Sequence, residues 1–568
     1  MMKIALALLL ALLAACNSDK KISTNSDAGK LVVNTLYING VLWSANQVSD
    51  ASVLAVKGDK IVYVGNGGRD QFVAAKIVDL DGKFMMPGFV DNHVHFFEGG
   101  AALTSVNLRD VSSKQDFVSR IKNYISTVEK NRWVLNGNWD HENWGGELPS
   151  KNWIDADSAS NPVFVIRLDG HIALANSAAL LAAGIDSETE DPAGGEIGRN
   201  ELGEPNGILK GNALNMVLSI IPQPSTEEVL DIFNVAQAHA LSLGLTQVHA
   251  VTANPTETTM LDAFRLANAS GDMKIRALVY TPIEHWQDAR DLVNEAGAGG
   301  DTLRWGGVKG FVDGSLGATT AWFHKPYTDA LETNGAPLTA PDKLAALIAA
   351  SDKAGLRLAI HAIGDKAIDQ LIAIYKTTGA ETITNKRYRI EHFQHPSSVA
   401  ITAAASNGIV ASMQPYHAID DGRWAQKRIG EVRVKTTYAF RSILDAGVKL
   451  SFGSDWPVAP LSPLAGVYAA VTRRTTDGRN PDGWQPQEKI NVSEALTAYT
   501  AANAYAGFDD NSGELAVGMR ADLVVLSDDP RKVDPITILD IKVLKTIIAG
   551  ATVYQDDDNT LSSLIESR

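Results

Sequence analysis

The stretch that decides the fold is GFVDNHVH at residues 88–95, an apolar run that ends in two histidines. Successive side chains of a strand point to opposite faces, so His93 and His95 project from the same face. Two neutral imidazoles at the end of a buried strand suit one divalent metal ion. A single His-x-His pair is weak evidence by itself, so further ligands have to come from the rest of the chain.

Apolar runs of similar length recur through the middle of the chain, and each is followed by polar residues. The residues that follow these runs are, in chain order, Asp169-Gly170-His171, His249, Asp313, His361, His392, Gln414 and Asp455. Amphipathic Ala- and Leu-rich stretches between the runs predict crossover helices. Repeated βα units with polar strand ends are typical of a (β/α)8 TIM-type barrel, which is predicted for residues 88–510. A doubly wound open sheet is the alternative, but it would not distribute ligands over so many strand ends.

Both ends of the chain show a different pattern, with short β-type runs separated by turn pairs such as Asn39-Gly40. This pattern occupies residues 31–87 and returns at 511–556, which predicts one small β-sandwich domain formed from both chain ends. Within the barrel region, residues 107–160 and 176–235 are longer than crossovers require. They are interpreted as insertions that shape a pocket over the barrel mouth.

The N-terminus resembles an export signal. Residues 1–15 combine one lysine with a short apolar core, too short to span a bilayer. Leu13-Ala14-Ala15-Cys16 resembles the lipobox of bacterial lipoproteins, which implies cleavage before Cys16 and lipidation of its thiol. The predicted location is the periplasmic side of the cell envelope, with 16–30 as a tether to the lipid anchor. Plain secretion is the alternative.

Composition limits the partners. The chain has 568 residues, a formal charge of -15 and a single cysteine. The negative charge argues against nucleic acid as a partner, since phosphate binding requires a basic surface. One cysteine excludes a thiolate zinc site. A small-molecule substrate is expected, with membrane contact only through the N-terminal lipid, and the oligomeric states considered are a monomer and a homodimer.

The candidate metal ligands lie at the strand ends and are His93, His95, Lys309, His361, His392 and Asp455. Four imidazoles and one carboxylate suffice for two zinc-type ions that share a water. A lysine ammonium would repel a dication unless carbon dioxide converts it to an anionic carbamate, and burial that lowers the lysine pKa favours that reaction. An ion-paired core lysine is the alternative for Lys309.

With these residues in this order, the sequence resembles the metal-dependent amidohydrolase superfamily, over nearly the whole chain that follows Cys16. Further motifs resemble the branch similar to N-substituted formamide deformylase: Asp169-Gly170-His171, Asp313-Gly314-Ser315, His361-Ala362-Ile363-Gly364-Asp365, Ser412-Met413-Gln414-Pro415 and Ser454-Asp455-Trp456-Pro457. The resemblance implies that His93, His95 and Asp455 hold one zinc ion and that His361 and His392 hold a second. Carboxylated Lys309 would bridge them. Ala250 and Lys210 depart from the expected pattern, where acidic residues are more usual.

The expected activity is cleavage of a C–N bond, amide or N-formyl, in a small and partly apolar substrate by a metal-activated water. Asp455 would take the proton of that water and pass it to the leaving amine. His171 is the first candidate for the oxyanion donor. The other predicted substrate contacts are His249, His417, Trp139 and Trp456. Deamination and ester or lactone hydrolysis are alternatives at the same metals, and a non-catalytic ligand-binding lipoprotein is a third.

Two acidic residues lie close in sequence to ligand histidines, and acidic residues often orient such ligands. Glu391 precedes His392 and is expected to face the opposite side of its strand, so no such role is predicted for it. Asp365 follows His361 by one helical turn and is better placed, although it could equally cap the helix that starts there.

Overall fold

The computed structural model of the protein describes residues 29–46, 51–167, 172–222, 224–252, 259–379 and 383–556. The predicted signal segment, Cys16, most of the tether and His171 lie outside the described residues. Among the helices of those ranges, none combines the length and the apolar character that crossing a membrane requires.

Eight parallel strands form the central sheet of the described chain, and each pairs with its neighbours in sequence order. Their bounds are Phe89–Val94, Leu245–Val251, Arg276–Pro282, Leu303–Phe311, Arg357–Ala362, Arg389–His392, Val410–Met413 and Lys449–Phe452. This order is that of a TIM-like barrel, so the predicted α/β barrel is confirmed. The strand Arg276–Pro282 was not among the predicted runs, because it ends in proline, which is uncommon in a central strand.

The first and last barrel strands meet through individual hydrogen bonds. The backbone N–H of Asp455 donates to the carbonyl of His93 (2.8 Å), and that of His95 donates to the carbonyl of Trp456 (2.9 Å). Deeper in the barrel, the side-chain amide of Asn503 donates to the carbonyls of Phe452 (2.7 Å) and Val90. The barrel is therefore closed next to the residues predicted to bind metal.

Helices surround the barrel and follow its strands. Their bounds are Phe96–Leu103, Thr226–Ser242, Thr259–Ser270, Trp286–Ala296, Pro341–Lys353, Asp365–Gly379, Ile383–Lys386, Ser398–Ser406, Pro415–Asp421, Ala425–Arg433, Phe440–Asp445, Pro463–Thr472, Val492–Ala498 and Ala501–Ala506. Local sequence explains several starts: Ser225 and Glu228 form a capping box, and Pro341 occupies the first turn of its helix. In Asp365–Gly379 the buried residues recur at helical spacing, which turns one apolar face toward the sheet.

Residues 106–218 form a separate unit with its own six-stranded sheet. The strands are Val106–Asn107, Val134–Trp139, Val163–Arg167, Ile172–Ala175, Gly195–Arg199 and Pro205–Gly211, and the helices of this region are Lys114–Ile125, Asp155–Ser158, Ser177–Ala182 and Leu214–Leu218. Phe164 and Val165 point into different hydrophobic clusters on the two faces of the sheet. The prediction that the run 163–167 belongs to the barrel was wrong, because a strand covered on both faces reads as a continuous apolar run in either sheet.

Two further sheets come from the chain ends. One contains Leu31–Ile38, Val53–Lys57, Lys60–Gly65 and Phe72–Asp79; the other contains Val41–Leu42, Phe84–Pro87, Leu523–Leu526, Val543–Ile548 and Ala551–Gln555. Only the second sheet combines strands from both ends. Tyr37 and Leu54 from the first sheet, with Met85 and Leu523 from the second, contribute to one buried cluster. A single β-sandwich domain built from both ends stays a prediction.

Candidate metal centre

His93, His95 and Asp455 converge at the point where the barrel closes. Oδ1 of Asp455 lies 3.4 Å from Nε2 of His93 and 3.0 Å from Nε2 of His95. All three side chains are buried, and their candidate ligand atoms lie within 4.8 Å of one another. Burial raises the pKa of Asp455, but the two imidazoles that face the carboxylate outweigh this effect and hold the pKa well below its usual range. The first predicted ligand set is therefore brought together with an ionised carboxylate.

The other ring nitrogens of these histidines are held by protein groups. Nδ1 of His93 lies 2.6 Å from Oε2 of Glu391, and Nδ1 of His95 lies 3.0 Å from the carbonyl of Val251. Metal-binding histidines usually bond through one nitrogen to a carboxylate or carbonyl in this way, which fixes the ring orientation. Nε2 of His93 is buried and has no hydrogen-bond partner in the described part of the chain. The donor set therefore fits a divalent ion.

Lys309, His361 and His392 lie at the same mouth of the barrel. The ring centroids of His361 and His392 are 4.5 Å apart, and those of His93 and His392 are 4.9 Å apart. Lys309 is 1% exposed, and burial lowers its pKa to about 8. A lowered pKa increases the share of neutral amine, which is the form that reacts with carbon dioxide. Nε2 of His361 is 3.0 Å from the carbonyl of Gly314, which leaves its Nδ1 as the candidate ligand atom.

A second group of candidate ligand atoms consists of His392, His417 and Asp455, again within 4.8 Å of one another. His417 comes from the helix Pro415–Asp421, which starts two residues after the seventh barrel strand. Its Nε2 lies 3.8 Å from Oδ2 of Asp455. The two oxygens of Asp455 therefore face two different sets of imidazoles.

The prediction for Glu391 was wrong, because this carboxylate points into the barrel and orients His93. His392 adopts a φ of 72°, which breaks the alternation of side-chain directions at the end of the strand. Glu391 and His392 can therefore both face the barrel interior. Glu391 also accepts hydrogen bonds from Nε of Arg389 (2.8 Å) and Oγ of Ser412 (2.7 Å). Burial raises the pKa of Glu391, but the charge of Arg389 outweighs it and keeps the pKa well below its usual range.

Asp365 does not orient a ligand histidine. Its carboxylate accepts the backbone N–H of His324 (2.8 Å), away from the metal-type residues. The acidic residue beside His361 is instead Asp313, whose Oδ1 lies 3.5 Å from Nε2 of His361. Asp313 is fully buried and accepts backbone N–H groups of Ile363 and Gly364, so it fixes the loop after the strand.

Three predicted substrate contacts lie in packed surroundings. The ring nitrogens of His249 face Arg389 (3.0 Å) and Gln247 (3.2 Å) inside the barrel. Trp139 is fully buried in the insertion, where its indole N–H donates to the carbonyl of Val165. Trp456 is 6% exposed and packs against Phe96 and His239. His417 lies beside the candidate metal ligands, and the role of all four residues as substrate contacts stays a prediction.

We expect Glu391→Gln to lower zinc affinity by about 10- to 100-fold, because the neutral amide orients His93 less firmly and makes its ring less basic. Competition with a chromophoric chelator measures the affinity. Glu488→Gln is the matched control: Glu488 is also buried but bonds to Ser442, far from the metal-type residues. Equal affinities in the two variants would contradict the orienting role.

A parallel barrel that gathers two histidines of one strand, further imidazoles and an aspartate at its carboxyl end defines the class of metal-dependent hydrolases. Residues 76–554 match the amidohydrolase family. The chain therefore belongs to the amidohydrolase family.

Individual comparisons agree with this assignment. The chain is 37% identical over 547 residues to Protein LONG AFTER FAR-RED 3 of Arabidopsis thaliana, which covers 92% of each chain. It is 28% identical over 533 residues to N-substituted formamide deformylase of Arthrobacter pascens, covering 89% of this chain and 95% of that one. The expected resemblance to that deformylase is confirmed.

Among solved structures, an uncharacterized metal-dependent hydrolase of Pyrococcus horikoshii superposes with a TM-score of 0.73 at 29% identity. The alignment covers 88% of this chain and 99% of the other. The protein is thus a hydrolase with a metal-dependent amidohydrolase fold, and a non-catalytic ligand-binding role is not favoured.

Proposed function

We propose that the protein hydrolyses a C–N bond, amide or N-formyl, in a small and partly apolar substrate. The observation that carries the proposal is the buried group of His93, His95 and Asp455 at the barrel mouth. The similarity to N-substituted formamide deformylase supports this choice of bond. The products would be an amine and a carboxylic acid, formic acid in the case of an N-formyl substrate.

The residues that would hold the metal are His93, His95 and Oδ1 of Asp455 for one zinc ion, and His361 and His392 for a second. Lys309 would be carboxylated and shared by both, which its burial and lowered pKa support. Bound divalent ions supply a water whose pKa falls toward about 7 and polarise the carbonyl of the substrate.

Asp455 would move the proton. Its Oδ1 faces His93 and His95, which leaves Oδ2 to accept a proton from the attacking water. The same oxygen then returns this proton to the nitrogen of the leaving amine, so the carboxylate ends the reaction in its starting state. The three side chains are largely shielded from solvent, which limits exchange of this proton with bulk water.

A substrate panel with purified full-length protein tests the proposal. N-substituted formamides, N-acyl amino acids, lactones and amino-substituted heterocycles are each incubated with zinc-loaded and chelator-treated protein. We expect release of amine from a formamide or amide, lost after chelation and restored by zinc. Turnover of lactones or heterocyclic amines alone would contradict C–N amide cleavage in favour of ester-type hydrolysis or deamination.

Export and anchoring are proposed on sequence grounds alone. We propose that the chain is cleaved before Cys16, lipidated on that thiol and held on the periplasmic side of the cell envelope. We also propose that it forms a homodimer in solution. Mass spectrometry of the N-terminal peptide and light scattering test the two parts separately.

A further inference from the structure

His417 lies over the carboxyl end of the barrel, next to the metal-type residues. The strand Val410–Met413 is followed by Gln414 and then by the helix that carries His417. Gln414 itself accepts a hydrogen bond at 2.8 Å from Nδ1 of His392. One short segment of chain therefore sets the position of both imidazoles.

The environment of His417 suits a cation ligand. Its Nε2 is buried and has no hydrogen-bond partner in the ranges that the structure describes. A buried polar atom without a partner costs free energy unless a ligand completes it. Oδ2 of Asp455 lies 3.8 Å from Nε2 of His417, longer than a hydrogen bond. Two imidazoles and one carboxylate oxygen are the donor types that zinc takes in proteins.

We propose that His392, His417 and Oδ2 of Asp455 form an additional cation position, and that filling it holds the enzyme inactive. The inactivation rests on the proposed function, in which Oδ2 accepts the proton and His392 binds the productive second ion. An ion at the additional position takes both groups away from those roles. Since the two positions share His392, they exclude one another, and excess divalent metal inhibits hydrolysis.

Zinc binding and hydrolysis are measured together on the full chain, from limiting to excess zinc. Equilibrium dialysis gives bound zinc per chain, and the rate is followed on the substrate found active in the panel. The proteins compared are wild type, His417→Gln and His324→Gln. The control residue His324 is exposed and pairs with Asp369 on the surface, so its replacement leaves the barrel mouth intact.

The expected result is a weaker class of bound zinc that wild type and His324→Gln possess and His417→Gln lacks. The rate at excess zinc, divided by the rate at its maximum, is expected to be at least tenfold higher in His417→Gln. Equal isotherms for all three proteins would overturn the proposal. So would loss of all zinc in a His417→Gln protein that melts like wild type, because His417 would then belong to the primary site.

Failure of the proposed function gives a different pattern. If no substrate of the panel is turned over at any zinc concentration, the dialysis isotherms still decide whether His417 binds zinc. If His417→Gln lacks the weaker class of bound zinc but shows the same rate ratio as wild type, the additional cation position stands and the proposed inactivation is overturned.

Discussion

Asp455→Asn is expected to lower kcat by about 100- to 10,000-fold, the range typical for loss of a proton-transfer group. The substitution keeps the shape of the side chain and an oxygen near His93 and His95. It removes the negative charge that those imidazoles stabilise and the atom that accepts the proton. The measurement is the steady-state rate of zinc-loaded protein on the active substrate, together with zinc per chain.

The control for this variant is Asp421→Asn. Asp421 is also a carboxylate near the site, and it accepts hydrogen bonds from Tyr438 (2.7 Å) and Gln394 (2.9 Å). It belongs to neither group of candidate metal ligands. We expect its kcat to remain within about tenfold of wild type. Similar losses in both variants would show that the effect of Asp455→Asn comes from disturbed packing rather than from chemistry.

The second large effect is on stability. Arg389→Met is expected to lower the free energy of local unfolding by about 3 to 5 kcal/mol, as for other buried pairs that lose one partner. Arg389 is 1% exposed, and Glu391, which it pairs with, is fully buried. The guanidinium also donates to the carbonyl of Asn92 (2.6 Å) and to the hydroxyl of Tyr280 (3.2 Å), so it connects three strands.

Hydrogen exchange of the strand Arg389–His392 measures this change, because protection there reports opening of the barrel. The double variant Arg389→Met with Glu391→Gln is the control. Removing both charges leaves no unpaired ion, so we expect the double variant to regain most of the lost protection. If the double variant were less protected than Arg389→Met alone, the charge argument would fail.

Much of the barrel could be predicted, because most of its strands are apolar runs followed by a histidine or an acidic residue. His93, His361, His392 and Asp455 follow apolar runs, and all of them lie at one face. The strand Arg276–Pro282 ends in a proline instead. Its polar group in the barrel interior is the hydroxyl of Tyr280, which accepts a hydrogen bond from Arg389. A single tyrosine within an apolar run does not predict this contact.

The groups that orient the site were harder to predict. Alternation along an ideal strand places Glu391 and His392 on opposite faces. The left-handed conformation of His392 removes that constraint, and non-glycine residues adopt it rarely. The same limit applies to His249. Its position near a strand end predicted a substrate contact, but the guanidinium of Arg389, 140 residues further along the chain, contacts its ring.

Closure of the barrel has a consequence for how the protein is made. The carboxylate of Asp91 accepts the backbone N–H of Ser454, 363 positions later, and Asn503 joins the same two strands. A ribosome that adds about 5 to 20 residues per second takes roughly 20 to 70 s to travel from residue 93 to residue 455. During that interval the growing chain holds His93 and His95 without their aspartate. The complete group of His93, His95 and Asp455 therefore exists only after residue 455 has been made, and a chain truncated before that position lacks one of its candidate ligands.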